Sequence, residues 1–225
     1  MREIVFDTET TGFSPQEGDR LVEIGAIETV DRIPTGKVYH VYINPERTIP
    51  EEAIRVHGIT NEMIADKPTF AEVVSDMLEF FDDSPLVAHN AQFDMNFLNF
   101  QLGLENLAEL SNPVVDTLKI AKKRFPGQRV SLDALCKKYE IDLSVRKYHG
   151  ALLDAKLLGD VYLELTGGRQ QSLAFDSGAK KGDADEFDNI EFKTVEIKPR
   201  PVIKATEEEI KNHQEFIAGI KGNIW

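Results

Sequence analysis

Two carboxylates follow the first apolar segment of the chain. Asp7 and Glu9 come directly after Ile4-Val5-Phe6, which we expect to form a short buried strand. Side chains at positions i and i+2 of a strand point the same way, so both carboxylates aim at one spot near the end of the strand. Hard oxygen ligands of this kind suit Mg²⁺ or Mn²⁺. The pair therefore predicts a metal site, with an ordinary acidic turn as the alternative.

Two later segments each place a carboxylate near the beginning of a predicted helix. Asp94 closes the segment 89–94, where an acid can also serve only to stabilise the helix dipole. Asp154 follows His149 by five residues, about one and a half helical turns, so the two do not share one face of a regular helix. His149 must then lie on the loop that leads into the helix. An isolated histidine is more often structural than catalytic, so neither segment decides the function alone.

The three segments carry more weight together than singly. Four carboxylates gathered without a metal would repel one another strongly. Two divalent cations would remove that cost and would form a site for phosphoryl transfer. We therefore expect Asp7, Glu9, Asp94, Asp154 and His149 to meet at one place.

The elements that must position these residues follow from the apolar pattern. Strands are predicted at residues 4–6, 21–30, 37–43, 86–88 and 114–115, with Pro34-Thr35-Gly36 as a turn between the second and third. Helices are predicted at residues 69–81, 94–104, 118–125, 132–139 and 151–165. The first three strands have short links and predict an antiparallel meander. The whole pattern is typical of a mixed α/β sheet with helices packed on it.

The charge of the chain is uneven. Its net charge is −13, which argues against a protein that grips nucleic acid with its whole surface. Residues 119–147, however, contain nine basic and three acidic residues, an excess of six positive charges. That stretch is either a solvated helical face or a patch that contacts a nucleic-acid backbone, and the sequence leaves both open.

Other features bound the setting of the protein. No run of ~18 apolar residues is present, so no membrane span is expected, and the start of the chain lacks a signal-peptide pattern. Cys136 is the only cysteine, which excludes an intrachain disulfide and favours the cytoplasm; we expect it in the core.

We predict a catalytic domain at residues 1–168, a flexible acidic linker at 169–204 and a helical C-terminal segment at 205–225.

The three motifs Asp-x-Glu, Asn-x-x-Phe-Asp and His-x-x-x-x-Asp resemble the pattern of the DEDD exonucleases of the histidine subtype. Their order and spacing match across residues 1–167, with no departure at the five key positions. The resemblance implies an α/β, ribonuclease H-like fold with a mixed five-stranded sheet flanked by helices. It also implies a 3′→5′ exonuclease that uses two divalent cations, Mg²⁺ or Mn²⁺. The implied metal ligands are Asp7, Glu9, Asp94 and Asp154, and His149 is the implied general base.

Further segments resemble one branch of this family, the proofreading subunits of bacterial replicative DNA polymerases. These segments are Val56-His57-Gly58-Ile59, Arg124-Phe125-Pro126-Gly127, Ser131-Leu132-Asp133-Ala134-Leu135-Cys136, Leu165-Thr166-Gly167-Gly168 and Ala205-Thr206-Glu207-Glu208-Glu209-Ile210. The resemblance implies that the substrate is the 3′ end of single-stranded or frayed DNA. The residues that it places around the terminal nucleotide are Thr8, Glu9, Thr10, His57, His89, Asn90 and Phe93. Phe93 would either stack on a base or belong to the core.

The tail implies partners by the same resemblance. Gln170, Leu173 and Phe175 look like a peptide that binds a sliding clamp, although so short a motif also arises by chance. Residues 205–225 resemble the segment that binds the polymerase subunit, and a small accessory subunit is left open. The alternatives are an RNA-trimming exonuclease of the same fold and a non-catalytic scaffold for polymerase and clamp.

Overall fold

The computed structural model describes residues 1–144, 148–167 and 206–218. These residues contain five strands: β1 Arg2–Thr10, β2 Leu21–Val30, β3 Ile33–Tyr42, β4 Leu86–Ala88 and β5 Val114–Asp116. They also contain eight α-helices: α1 Glu51–His57, α2 Asn61–Ile64, α3 Phe70–Phe81, α4 Ala91–Leu104, α5 Thr117–Arg124, α6 Leu132–Lys138, α7 Ala151–Leu165 and α8 Glu207–Ala218. A short 3₁₀ turn precedes β2 at Pro15–Glu17.

The strands form one mixed sheet in the order β3-β2-β1-β4-β5. The pairs β1–β2 and β2–β3 are antiparallel, which confirms the predicted meander. The pairs β1–β4 and β4–β5 are parallel, so β1 is the central strand and β1, β4 and β5 end at the same edge. The residues after these three strands therefore meet at one edge, as strand ends do in parallel α/β sheets.

Helices cover both faces of the sheet. On one face, Ile4 and Phe6 pack with α3 and α4 in the largest apolar cluster. On the other face, Val5 and Ile27 pack against Leu158 and Tyr162 of α7. A further cluster joins α5, α6 and α7 and contains Cys136, which is buried as predicted. Because both faces are covered, the polar residues Glu23, Glu28 and Thr29 of β2 are buried too.

Several predicted boundaries shift in the structure. β1 extends well beyond Ile4-Val5-Phe6, because Asp7 to Thr10 continue to pair with β2. The turn predicted at Pro34-Thr35-Gly36 is wrong, since those residues lie within β3. The chain reverses instead at Asp31 and Arg32, both of which have positive φ. Two such residues form the tight turn whose twist suits a hairpin, and the sequence lacks the glycine that usually marks it.

The sequence pattern did not predict α1 and α2, which lie between β3 and α3. Both are too short for a full apolar period, but their ends carry ordinary signals. α1 follows Pro50 with two glutamates in its first turn, and Gly58 closes it with φ +73°. α2 begins after Thr60, whose side chain accepts a hydrogen bond from the amide of Met63.

The helix of the C-terminal segment is confirmed for the residues that the structure describes. α8 begins after Thr206, whose backbone amide donates to the carboxylate of Glu209 at 2.8 Å. This helix belongs to the second of the two compact units of the chain. The predicted linker at 169–204 and residues 219–225 lie outside the described residues. None of the described helices combines the length and the apolar character that a membrane crossing requires.

Candidate active site

β1 supplies the first two carboxylates at the edge where the parallel strands end. Asp7 and Glu9 lie on the face of the sheet that packs against α7, because Asp7 is paired with Gly25 and Gly25 contacts the beginning of α7. Asp7 is partly buried and Glu9 is buried. Thr8 points to the other face, towards α4, as the alternation of a strand requires.

The turn from β4 into α4 supplies the third carboxylate. Asn90 precedes the helix with φ 71°, a left-handed conformation that asparagine tolerates. Its backbone N–H donates to Oδ1 of Asp116 at 3.2 Å. Asp94 then lies in the first helical turn and is 3% exposed. The hydroxyl of Thr8 donates to Oδ1 of Asp94 at 2.7 Å, which fixes the orientation of that carboxylate.

α7 supplies the fourth carboxylate and the histidine. Gly150 precedes α7 in an extended conformation, so His149 lies on the loop before the helix, as the spacing had predicted. Asp154 is buried in the first turn. Nδ1 of His149 lies 3.3 Å from Oδ2 of Asp154, and the backbone amide of His149 donates to the carbonyl of Val56 at 3.1 Å.

These side chains line one cavity of about 270 Å³. The lining residues are Asp7, Thr8, Glu9, His89, Asn90, Phe93, Asp94, Leu132, His149 and Asp154. All seven specified residues of the three motifs, including the four carboxylates and His149, are among them. Leu132 was not singled out from the sequence, because an apolar residue at the start of a helix carries no sign of a site.

Burial and mutual repulsion raise the pKa values of the carboxyl groups in the cavity. The pKa of Asp7 is well above its usual value, because the group is desolvated and because Asp94, Glu9 and Asp154 are nearby. Burial also raises the pKa of Asp94 to about 7, although the hydrogen bond from Thr8 opposes that shift. Without cations, the cluster therefore retains protons near neutral pH.

The donor set fits divalent cations. Ligand atoms of Glu9, His149 and Asp154 lie within 4.8 Å of one another. Asp7 and Asp94 line the same cavity, so two further carboxyl groups face it. Carboxylate oxygens are the preferred ligands of Mg²⁺ and Mn²⁺, and a cation would relieve the repulsion that now favours protonation.

The structure separates the residues expected around a terminal nucleotide into two groups. Thr8, Glu9, His89, Asn90 and Phe93 line the cavity, whereas Thr10 and His57 do not. The hydroxyl of Thr10 donates to the carbonyl of Gly12 at 2.6 Å. His57 is buried, and its Nδ1 accepts the amide proton of Ile59 at 3.0 Å.

Phe93 lies at the boundary between the cavity and the apolar core. Its ring lines the cavity, yet it also packs on Phe97 with ring centroids 5.0 Å apart. The residues predicted to bind a clamp, Gln170, Leu173 and Phe175, lie outside the described part of the chain.

Comparison with known proteins places this site in a class of enzymes. The family model described as "RNase_T: Exonuclease" matches residues 4–162, a range that contains all five clustered residues. The nuclease domain of 3′hExo, a DEDDh family member, has a TM-score of 0.65 at 18% identity, covering 73% of this chain and 91% of that one. Exonuclease X in complex with 5′ overhanging duplex DNA has a TM-score of 0.58 at 27% identity, covering 73% and 90%. The predicted ribonuclease H-like fold is thereby confirmed.

Relatives in sequence narrow the class further. The DNA polymerase III subunit epsilon of Rickettsia prowazekii is 49% identical over 224 residues, covering 96% of both chains. The subunit of the same name from Escherichia coli K12 is 43% identical over 221 residues, covering 95% of this chain and 90% of that one. The chain therefore belongs to the exonuclease family and, within it, to the epsilon subunits of DNA polymerase III.

Proposed function

We propose that this chain performs the 3′→5′ proofreading reaction of its family at the cavity between β1, α4 and α7. Asp7, Glu9, Asp94 and Asp154 hold two divalent cations, Mg²⁺ or Mn²⁺, and His149 is the general base. The observation that carries this proposal is the convergence of four carboxylates and one histidine, from three distant stretches, on one cavity. When bound, the cations would activate a water and stabilise charge on the phosphate and on the leaving 3′-oxygen.

His149 accepts the proton of the attacking water. Its Nδ1 lies near the carboxylate of Asp154, so we assign the ring proton to Nδ1 and the accepting lone pair to Nε2. The imidazole ring is half exposed, which leaves it room to approach a water at the mouth of the cavity. A ring nitrogen of His149 lies within 4.8 Å of carboxylate oxygens of Glu9 and Asp154, so all three could bind one cation. Metal ligation is therefore the competing role for this side chain.

The substrate enters as an unpaired strand end. His89, Asn90 and Phe93 line the cavity and are placed to meet the terminal nucleotide, with Phe93 against the base. Thr8 acts through its hydrogen bond to Asp94 rather than through the substrate alone. A mispaired end frays at lower cost than a paired one, so a pocket for an unpaired nucleotide selects mispairs without reading sequence.

The exposed lysines of α5 support contact with the backbone of the strand. Lys119, Lys122 and Lys123 point outwards from α5, which begins directly after β5. Nδ1 of His89, a residue that lines the cavity, lies 2.9 Å from the hydroxyl oxygen of Thr117, the first residue of α5, so this helix begins close to the cavity. We assign these lysines to phosphates upstream of the terminal nucleotide.

The setting and partners follow from the relatives. The two relatives described above are named as subunits of DNA polymerase III, which supports assembly with the polymerase α subunit in the bacterial cytoplasm. We assign residues 1–168 to catalysis, 169–204 to a linker with the clamp-binding peptide at its start, and 205–225 to the polymerase. A small accessory subunit is a further candidate partner. The RNA-trimming and scaffold alternatives have no comparable support from these relatives.

Turnover and metal affinity measured on the same variants test the assignment of roles. Glu9→Gln should abolish release of the terminal nucleotide and weaken Mn²⁺ binding in a titration. Glu3→Gln is a matched control, because Glu3 is another buried glutamate of β1 that accepts a hydrogen bond from Tyr162 at 2.9 Å, away from the cavity. It should retain both properties.

His149→Ala separates a base from a ligand. As a base, its loss should slow cleavage by ~10²–10⁴-fold while Mn²⁺ affinity stays unchanged. Weakened Mn²⁺ binding in His149→Ala would transfer this residue to the ligand set. Full activity of Glu9→Gln would remove the proposed metal site.

A further inference from the structure

A fifth buried carboxylate lies beside the metal-binding set. Glu23 of β2 is 3% exposed and is paired directly with Glu9 of β1. Opposite residues of antiparallel strands share a face of the sheet, and like charges placed there destabilise the pair. The position of Glu23 therefore needs an explanation that ordinary sheet packing does not supply.

Both oxygens of Glu23 have partners. Oε1 lies 2.6 Å from Nε2 of His40 on β3, and Oε2 accepts the backbone amide proton of Ala151 at 3.0 Å. Ala151 is the first residue of α7 and stands two residues after His149. Glu23 thus links the outer part of the sheet to the loop that carries the proposed base.

The backbone around this link is closely packed. A Cβ atom on Gly25 would lie 2.1 Å from the amide nitrogen of Leu152, so β2 and the beginning of α7 are in direct backbone contact. On the other side of His149, the carbonyl of Val56 accepts the amide proton of that residue. The short segment from His149 to Ala151 is therefore held at both ends, with Glu23 as the only side chain in these two anchoring hydrogen bonds.

We propose that Glu23 is a positioning residue, which holds the amide of Ala151 and thereby sets the place of His149 relative to the reacting phosphate. His40 fixes the carboxylate for this task. The inference rests on the proposed role of His149 as general base. It adds a residue outside the three motifs to the catalytic apparatus, acting through the backbone at the beginning of α7.

The chemistry of the link predicts how substitutions behave. Glu23→Ala removes the acceptor, so the segment from His149 to Ala151 loses the hydrogen bond at its C-terminal end. Glu23→Gln keeps an amide oxygen that can accept the proton of Ala151, and it should therefore restore most of the activity. The substitution should lower kcat rather than raise KM, since a misplaced base destabilises the transition state more than it destabilises the bound substrate.

A double-mutant cycle tests the coupling between Glu23 and His149. We expect Glu23→Ala to lower kcat by ~10–100-fold with KM within ~3-fold, and Glu23→Gln to stay within ~5-fold of wild type. In a His149→Ala background the same Glu23→Ala change should cost less than ~3-fold, because the group that it positions is gone. A purely structural role would give losses that multiply.

Glu28→Ala is the control for loss of a buried carboxylate. Glu28 lies on the same strand, is 4% exposed, and binds Arg2, Thr35 and Lys37 away from the cavity. It should lower the midpoint of thermal unfolding but leave kcat unchanged. If Glu23→Ala does not fold, His40→Ala replaces it, with an expected ~3–10-fold loss of kcat that also vanishes in the His149→Ala background.

Three results would overturn the inference. Losses in kcat that multiply with His149→Ala would show that Glu23 acts elsewhere, and an equal kcat loss in Glu28→Ala would show a general effect of burial. Wild-type activity of His149→Ala would refute the proposed base and the positioning role together. If His149→Ala is slow but Glu23→Ala lowers kcat by the same factor with and without His149, the positioning role alone would be refuted.

Discussion

At the scale of single residues, the acidic side chains of the cavity repel one another when they are ionised, and a bound cation would reduce that repulsion. Asp94 is almost fully buried, and its pKa is raised from the usual 3.8 to about 7 by that burial. Asp7 shifts in the same direction because of desolvation and of the neighbouring acids. Protons and cations therefore compete for the same oxygens, and metal binding should release protons.

The raised pKa of Asp94 predicts how stability depends on pH in the metal-free protein. A carboxyl group whose pKa is higher in the folded state binds its proton more tightly there, so it stabilises the fold below pH ~4 and loses this effect as pH rises through about 7. Asp94→Asn should then raise the thermal midpoint by roughly 2–8 °C at pH 8 and by clearly less at pH 5, where only part of the stabilisation is lost. Calorimetry in a chelator measures this, and an equal effect at both pH values would contradict the shift.

Thr8 gives a second prediction at this scale. Its hydroxyl donates to Asp94 and holds the pKa of that carboxyl below the value that burial alone would impose. Thr8→Val keeps the shape but removes the donor, so the acid side of the pH–rate profile should move to higher pH. The matched control is Thr35→Val, which removes a hydroxyl bonded to Glu28 at 2.7 Å away from the cavity. A profile unchanged in Thr8→Val, or shifted equally in Thr35→Val, would count against this role.

At the scale of elements, the period of the apolar residues and the spacing of the motifs predicted most of the strands and helices that hold the site residues. β2, β4 and α7 begin and end where the sequence pattern places them, because each is a strongly apolar segment with clear ends. The hairpin turn at Asp31 and Arg32 escaped prediction, since arginine stands at the second position, where such a turn usually has glycine. The burial of Glu23 also escaped, because a single sequence does not show that α7 covers that face of β2.

The contact between β2 and α7 predicts that Gly25 cannot be replaced. Gly25→Ala would force the backbone of Ala151 and Leu152 away from the sheet, because a Cβ would lie 2.3 Å and 2.1 Å from their atoms. We expect a loss of ~2 kcal/mol or more in unfolding free energy and a lower kcat, since His149 and Asp154 move with the helix.

Gly103→Ala is the control for that change. Gly103 lies within α4, and a Cβ there would meet no atom within 4 Å. Alanine should stabilise this position by up to about 1 kcal/mol and leave kcat unchanged. Denaturant unfolding and single-turnover rates measure both variants, and tolerance of Gly25→Ala at wild-type levels would contradict the close packing.

At the scale of the whole molecule, an acidic chain acts on an acidic substrate. The net charge of −13 is compatible with that task if bound cations neutralise the cavity and if a larger assembly holds most of the DNA. The motifs alone predicted which residues gather, because their order along the chain matches strand ends at one sheet edge. They could not show which polar residues support the set, since Glu23 belongs to no motif and Thr8 was expected beside the nucleotide rather than bonded to Asp94.

The proposed division of the chain predicts the behaviour of a truncated protein. Residues 1–168 contain all the elements of the sheet and the residues of the cavity. This fragment should cleave single-stranded DNA at a rate within ~3-fold of the full chain, because no cavity residue is removed. It should no longer bind the polymerase α subunit in a pull-down. Retained binding, or loss of cleavage in a folded fragment, would refute the division.

The most direct test of the central claim is the release of nucleotides from a labelled primer with a mispaired 3′ end, with and without Mg²⁺. The full chain should remove single nucleotides from the 3′ end only when the cation is present, faster from the mispaired than from the paired primer, and Asp7→Ala with Glu9→Ala should remove none. Release in a chelator, cuts within the strand, or activity in that double variant would contradict catalysis at the carboxylate cluster.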